Sequence, residues 1–173
     1  MKIPFLDLKS QYDSIKSDIN RAISQVIESS SFVLGPSVAE FEENFSRYCH
    51  CQYTVAVNSG TSALFLTMKA LGIGQGDEVI TAANTFIATA AAIIHIGATP
   101  VLVDIDPLTR NIDINQIESA ITTKTKAIIP VHLYGCMVDM ERINAIAKKS
   151  KLIVIEDACQ AHGAKFKNGP AGS

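Results

Sequence analysis

Val55-Ala-Val-Asn58-Ser59-Gly60-Thr61-Ser62-Ala63-Leu64 is the stretch whose reading decides the fold. A short apolar run ends in Asn-Ser-Gly-Thr-Ser, and a helical pattern starts at once. The expected local structure is a strand that delivers a small-residue turn to a helix N-terminus. Unpaired backbone N–H groups and the positive end of the helix dipole meet there, and a phosphate suits both. Leu152-Ile-Val-Ile-Glu156-Asp157-Ala-Cys-Gln160 reads as a second buried strand with a carboxylate at its C-terminal end. A phosphate cradle and a lone acid at two strand ends of one sheet imply a phosphorylated cofactor between them.

The rest of the chain agrees with such a sheet. Leu8, Tyr12, Ile15, Ile19, Ile23, Val26 and Ile27 recur at helical spacing and predict an amphipathic N-terminal helix that frays at Ser29–Ser31. Phe32 to Pro36 reads as a turn, and Pro36 opens a second helix with Val38, Phe41, Phe45 and Tyr48 on one face. Strand and helix then alternate. Strands are expected at Tyr53–Val57, Glu78–Ala82, Pro100–Val103, Ala127–Val131 and Leu152–Ile155. Helices are expected at Thr61–Leu71, Thr85–Ile96, Ile114–Ile121 and Met137–Lys149. The strands are largely apolar rather than alternating, as strands buried on both faces should be. Repeated βα units predict a parallel sheet with right-handed crossovers, whose ligands sit beyond the carboxyl ends of the strands. Gly169 to Ser173 is turn-like and suggests part of a longer polypeptide.

Composition narrows the function classes. The 173 residues suffice for one domain, and 47% are hydrophobic, with a mean hydropathy of +0.21. The longest apolar run, Ile87 to Ile96, is too short to span a bilayer and is broken by Thr89 and His95. A net charge of −2 gives no reason to propose nucleic acid or an anionic membrane as partner. The N-terminus turns acidic at Asp7, too early for a signal peptide, and the cysteines follow no disulfide or zinc spacing. A cytoplasmic protein with reduced thiols and no metal is therefore expected, Cys49-His50-Cys51 lacking further ligands of suitable spacing.

Each candidate site residue also has an ordinary structural reading. Ser59-Gly60-Thr61-Ser62 could be a plain N-cap. It is not a P-loop, and Gly72-Ile-Gly74-Gln-Gly76 follows a helix rather than a strand, so it is no dinucleotide fingerprint. Asp157 could cap the next turn, or partner a cationic ring nitrogen in a desolvated crevice. Gln160, three residues on, could reach the same ligand. Phe86 could sit in the core behind an Asn84-Thr85 cap, or stack on a planar ligand beyond a strand end. Taken together, cradle, carboxylate and aromatic match pyridoxal phosphate, whose phosphate must be anchored, pyridine nitrogen kept protonated and ring held flat.

Seven motifs in order carry a resemblance. They are Ile3-Pro-Phe-Leu-Asp7-Leu, Phe32-Val-Leu-Gly35-Pro36, Asn58-Ser-Gly-Thr-Ser-Ala-Leu64, Gly76-Asp-Glu-Val79, Thr85-Phe-Ile-Ala-Thr89, Pro130-Val-His-Leu-Tyr-Gly135 and Glu156-Asp-Ala-Cys-Gln-Ala-His-Gly163. The set closely resembles the DegT/DnrJ/EryC1/StrS family of pyridoxal-phosphate-dependent nucleotide-sugar aminotransferases. The resemblance implies an α/β fold of the aspartate aminotransferase type (fold type I). It would comprise an N-terminal helical segment (1–35) and part of the cofactor-binding large domain (36–173), with the small C-terminal domain outside this chain. It implies that Thr61 and Ser62 bind the cofactor phosphate, with Gly60 allowing close backbone approach. Phe86 would stack on the pyridine ring, Asp157 would bind its nitrogen, and Gln160 would contact the ring-hydroxyl side. No role follows for His162; both His132 and His162 read as satisfied structural histidines.

The family's Schiff-base lysine lies in a Ser-Phe-x-x-x-Lys-like segment downstream of Ser173; Lys165 and Lys167 come too soon after Asp157 to match it. The implied reaction moves an amino group from an amino acid, glutamate being expected, to a nucleotide-linked keto-sugar, in deoxyamino-sugar and cell-surface polysaccharide biosynthesis. A homodimer with active sites at the subunit interface is implied too, and the apolar surplus agrees with a covered surface. Two alternatives stand beside this: a truncated, inactive chain serving as cofactor binder or dimer partner, and a deoxysugar dehydratase, in which a histidine replaces the lysine. A non-enzymatic regulator of the same fold has no positive feature in the sequence.

Overall fold

The computed structural model describes residues 4–167 and 169–173; Ile3 of the first motif and the two residues before it lie outside them. Asp7 opens α1 (Leu8–Ser29), its carboxylate accepting from the Ser10 N–H at 3.0 Å. The helix stops at Ser30, which turns left-handed (φ 52°) while Ser30 and Ser31 donate to the Ile27 and Val26 carbonyls. Pro36 starts α2 (Pro36–Cys49). The alternating part follows as α3 (Gly60–Ala70), β1 (Glu78–Ala82), α4 (Ile87–His95), β2 (Thr99–Val103), α5 (Ile114–Ala120), β3 (Thr125–Ile129), α6 (Met140–Ser150) and β4 (Ile153–Val154). The four strands form one parallel sheet in the order β2-β1-β3-β4.

The apolar strands serve two cores, one on each face. Val79, Ala127 and Ile129 pack with Leu64 and Met68 of α3 and with Ala92 and Ile93 of α4. Ile80 and Ile128 point the other way and pack with Ile117 of α5 and Ile143 and Ala147 of α6. Successive side chains of a strand leave on opposite faces, so a continuous Val-Ile run is what two helix layers require. Thr81 is fully buried in β1, and its hydroxyl donates to the Ile129 carbonyl at 2.9 Å.

Three sequence expectations are corrected. Tyr53–Val57 is not a strand in this sheet. Its residues alternate in exposure, with Tyr53, Val55 and Val57 outward, but no strand pairs with them among the described residues. The Ala56 N–H goes to Glu42 Oε1 at 2.7 Å instead. The C-terminal residues are not a bare turn: Gly169–Pro170 (β6) pairs antiparallel with Lys165–Phe166 (β5). The strand expected at Leu152–Ile155 is half-buried and shorter, although its ladder contacts continue as far as Asp157. None of α1 is buried: Leu8, Ile15, Ile23 and Ile27 all face outward. Among the described residues no helix is long and apolar enough to cross a membrane.

Helix α4 is held to the sheet through Ile93, which is fully buried, whereas its neighbour Ile94 is 59% exposed. Ile93→Ala is expected to cost about 2–5 kcal/mol in denaturant unfolding, and Ile94→Ala less than about 0.5 kcal/mol.

Candidate functional site

The carboxyl ends of β1, β3 and β4 open beside the N-terminus of α3. A cavity of about 200 Å³ lies there, lined by Gly60, Thr61, Phe86, Asp157 and Gln160 together with Cys159 and apolar neighbours. Five of the six cofactor residues expected from the sequence thus share one wall. Ser62 is not part of it: its N–H donates to Ser59 Oγ at 3.1 Å, and its hydroxyl oxygen accepts from Ser59 Oγ at 3.0 Å. The ordinary N-cap and the open cradle coexist, because Ser59 takes the third N–H of the helix while the Gly60 and Thr61 amides have no partner among the described residues. A Cβ at Gly60 would lie 2.7 Å from Cys159 Sγ, so a side chain there requires that thiol to move.

Asp157 is 7% exposed and held from three sides. Its backbone N–H donates to the Pro130 carbonyl at 2.9 Å, and its own carbonyl accepts from the His132 N–H at 3.1 Å. Oδ1 accepts from the Cys159 N–H at 3.3 Å, so the turn-capping reading holds for one oxygen. Oδ2 accepts from the hydroxyl of Thr89, a buried residue of α4 that sequence reasoning did not single out, at 2.7 Å. The available signal was a polar residue on the buried face of an otherwise apolar helix. Phe86 is the N-cap of α4 and 65% exposed, so it lies at the cavity rim and not in the core. Gln160 Oε1 accepts from the Tyr134 N–H at 2.8 Å, leaving its amide nitrogen without a partner among the described residues.

Behind Asp157 lies a second, smaller network. His132 is fully buried; its Nδ1 accepts from the Val138 N–H at 3.2 Å, which assigns the ring proton to Nε2, 2.9 Å from Glu156 Oε2. Glu156 also accepts from the Gly172 N–H at 3.0 Å. Burial pushes this carboxyl up, but the hydrogen bonds from His132 and Gly172 outweigh it and hold it below its ordinary value. Cys159 goes the other way: burial, reinforced by the Asp157 carboxylate, pushes its thiol up to about 11. His162 is exposed, its ring edge-on to Phe45 at 6.0 Å. Among the described residues no group of three or more His, Cys, Asp or Glu side chains is placed to hold a metal.

A parallel sheet covered on both faces, with a helix N-terminus, an aromatic ring and a carboxylate around one cleft, defines the large domain of a pyridoxal-phosphate-dependent aminotransferase fold. The chain belongs to the DegT/DnrJ/EryC1/StrS aminotransferase family, whose sequence profile matches residues 13–173. It is 51% identical to the pleiotropic regulatory protein of Geobacillus stearothermophilus over 99% of this chain and 46% of that protein. It is 50% identical to the dTDP-3-amino-3,6-dideoxy-alpha-D-galactopyranose transaminase of Aneurinibacillus thermoaerophilus over 99% of this chain and 47% of that enzyme. The crystal structure of S. venezuelae DesV with a ketimine intermediate superposes with a TM-score of 0.97 at 42% identity, covering 99% of this chain and 46% of that one. The crystal structure of ntda from Bacillus subtilis with bound cofactor PMP superposes with a TM-score of 0.89 at 45% identity, covering 92% of this chain and 37% of that one. The chain therefore spans about half the length of the curated relatives it matches.

Two expectations follow. Gly60→Ala should destabilise the chain by about 1–3 kcal/mol, and Cys159→Ala in the same chain should recover most of that loss, as a double-mutant cycle of denaturant unfolding would show. Glu156 has a lowered folded value, so its contribution is present above the ordinary value of 4.5 and is lost as pH falls through the lower one. Unfolding midpoints measured from about pH 5 downward should drop more steeply for the native chain than for Glu156→Gln.

Proposed function

We propose that the polypeptide carrying this chain is an aminotransferase that moves an amino group from an amino acid, glutamate being the expected donor, to a nucleotide-linked keto-sugar. One observation carries the reading: Gly60, Thr61, Phe86, Asp157 and Gln160 come from distant parts of the sequence and line one cleft at the carboxyl ends of the strands. The residues fit pyridoxal phosphate. The Gly60 and Thr61 amides and the Thr61 hydroxyl would take the phosphate at the positive end of α3, with Ser62 supporting them through the cap. Phe86 offers an aromatic face at the rim. Asp157 would hold a protonated ring nitrogen, and the Gln160 amide would donate toward the ring-hydroxyl side. When bound, the cofactor supplies the electron sink for the reaction.

The covalent link needs an amine that these residues do not offer. Lys167 is paired with Glu141, and Lys165 lies in β5 at an exposed position, which supports a lysine farther along the polypeptide. The division at residue 35 is supported by α1, which contributes nothing to either core. Its outward apolar side supports a homodimer.

The test is intact-mass analysis of the polypeptide after incubation with pyridoxal phosphate and borohydride reduction, followed by a transfer assay with a nucleotide-linked keto-sugar. One cofactor on a lysine downstream of Ser173, with amino-sugar product, is the expected result. A chain that keeps no cofactor, or one that dehydrates the sugar instead, would overturn the aminotransferase reading.

A further inference from the structure

The hydroxyls of Thr85 and Thr89 form a short relay that ends on Asp157. Thr89 Oγ1 donates to Asp157 Oδ2 at 2.7 Å, and Thr85 Oγ1 lies 2.9 Å from Thr89 Oγ1. A threonine hydroxyl has one proton. Since that of Thr89 is spent on the carboxylate, Thr85 must be the donor in the second contact, and the relay runs from Thr85 through Thr89 to Asp157. A threonine inside a helix commonly returns its hydroxyl to a carbonyl one turn back. Thr89 instead reaches across 68 residues of sequence to Asp157, just beyond β4. It is fully buried in the first turn of α4, the helix whose N-cap is Phe86. The start of one helix thus carries both the aromatic residue at the rim and the hydroxyl that meets the carboxylate.

We infer, on the cofactor reading above, that Thr89, backed by Thr85, is a positioning residue for the cofactor ring: it holds the Asp157 carboxylate in register with Phe86. Among the described residues one carboxylate oxygen has a side-chain donor, and the other has only the 3.3 Å contact from the Cys159 N–H. Without Thr89 the carboxylate can turn about its last bond, and the ring nitrogen loses a partner of fixed direction. Packing alone does not call for a hydroxyl at this position, because valine has nearly the same shape.

The test uses the polypeptide carrying this chain and isotope-labelled pyridoxamine phosphate. Its dissociation constant and the chemical shift of its ring nitrogen are measured for the native protein, Thr89→Val, Thr89→Ser and Thr85→Val. Hydrogen bonds to charged groups are strong enough that Thr89→Val should weaken binding about tenfold, and the nitrogen shift should move toward the unprotonated value. Thr89→Ser keeps the donor and should restore both. Thr85→Val, at a half-buried position, should show a smaller loss in the same direction and decides the matter if Thr89→Val does not fold. A Thr89→Val protein with native affinity and native nitrogen shift would overturn the positioning role while leaving the cofactor reading intact. So would a Thr85→Val protein indistinguishable from native when Thr89→Val is unfolded. A native protein that fails to bind the ligand would overturn both.

Discussion

The ladder between the ends of β3 and β4 is the constraint on which the site depends. Beyond the last named residues of these strands, Asp157 still donates to the Pro130 carbonyl and accepts from the His132 N–H. These two backbone bonds place the carboxylate at the mouth of the sheet before any side chain acts. The floor of the cleft is therefore part of the sheet and shares its rigidity. The walls are supplied by helix N-termini: α3 brings Gly60 and Thr61, and α4 brings Phe86. Helix α4 follows β1 and so begins near the carboxyl end of that strand, whereas α3 follows no strand of this sheet and is seated there by Leu64 and Met68 packing against Val79, Ala127 and Ile129.

The buried side-chain polar groups beneath this floor are arranged so that none is stranded. Among the described residues no buried side-chain nitrogen or oxygen lacks a partner. His132 uses one ring nitrogen as acceptor and the other as donor, which fixes its neutral tautomer and ties the end of β3 to Glu156. Glu156 and Asp157 are adjacent in sequence yet serve opposite sides of the strand. Glu156 faces the network that anchors Gly172, while Asp157 faces the cleft. Alternation along an extended chain separates a structural acid from a site acid within two residues.

Much of this was legible in the sequence because it is local. The apolar runs, the glycines that end helices and the Ser59 cap are encoded within a few residues, and the βα alternation followed from them. The strand-end position of Asp157 was visible for the same reason. What was not legible depends on distant partners. Tyr53–Val57 has the composition of a strand, but composition does not say whether a partner strand is at hand; here the Ala56 N–H turns to Glu42. The β5–β6 pair was missed because two-residue strands leave no period to detect. Ser62 is expected to bind the phosphate, and its hydroxyl also accepts from Ser59, a contact between neighbours that spacing does not reveal. Thr89 was quoted within a motif yet given no role, because its partner lies on the far side of the sheet's sequence.

The burial of β1 on both faces has a cost in information. A strand that is apolar on one side only announces its alignment, because a slip by one residue would push its apolar set into water. Val79 and Ile80 carry no such signal, since either could serve either core. Thr81 supplies what they lack. In the observed alignment its hydroxyl meets the Ile129 carbonyl, and in an alignment shifted by one residue it would turn toward the opposite core. An unmet buried hydroxyl there would cost about 1–3 kcal/mol. A single oxygen in the middle of a hydrocarbon layer thus helps the chain choose among alignments that the hydrophobic effect alone would leave nearly equal.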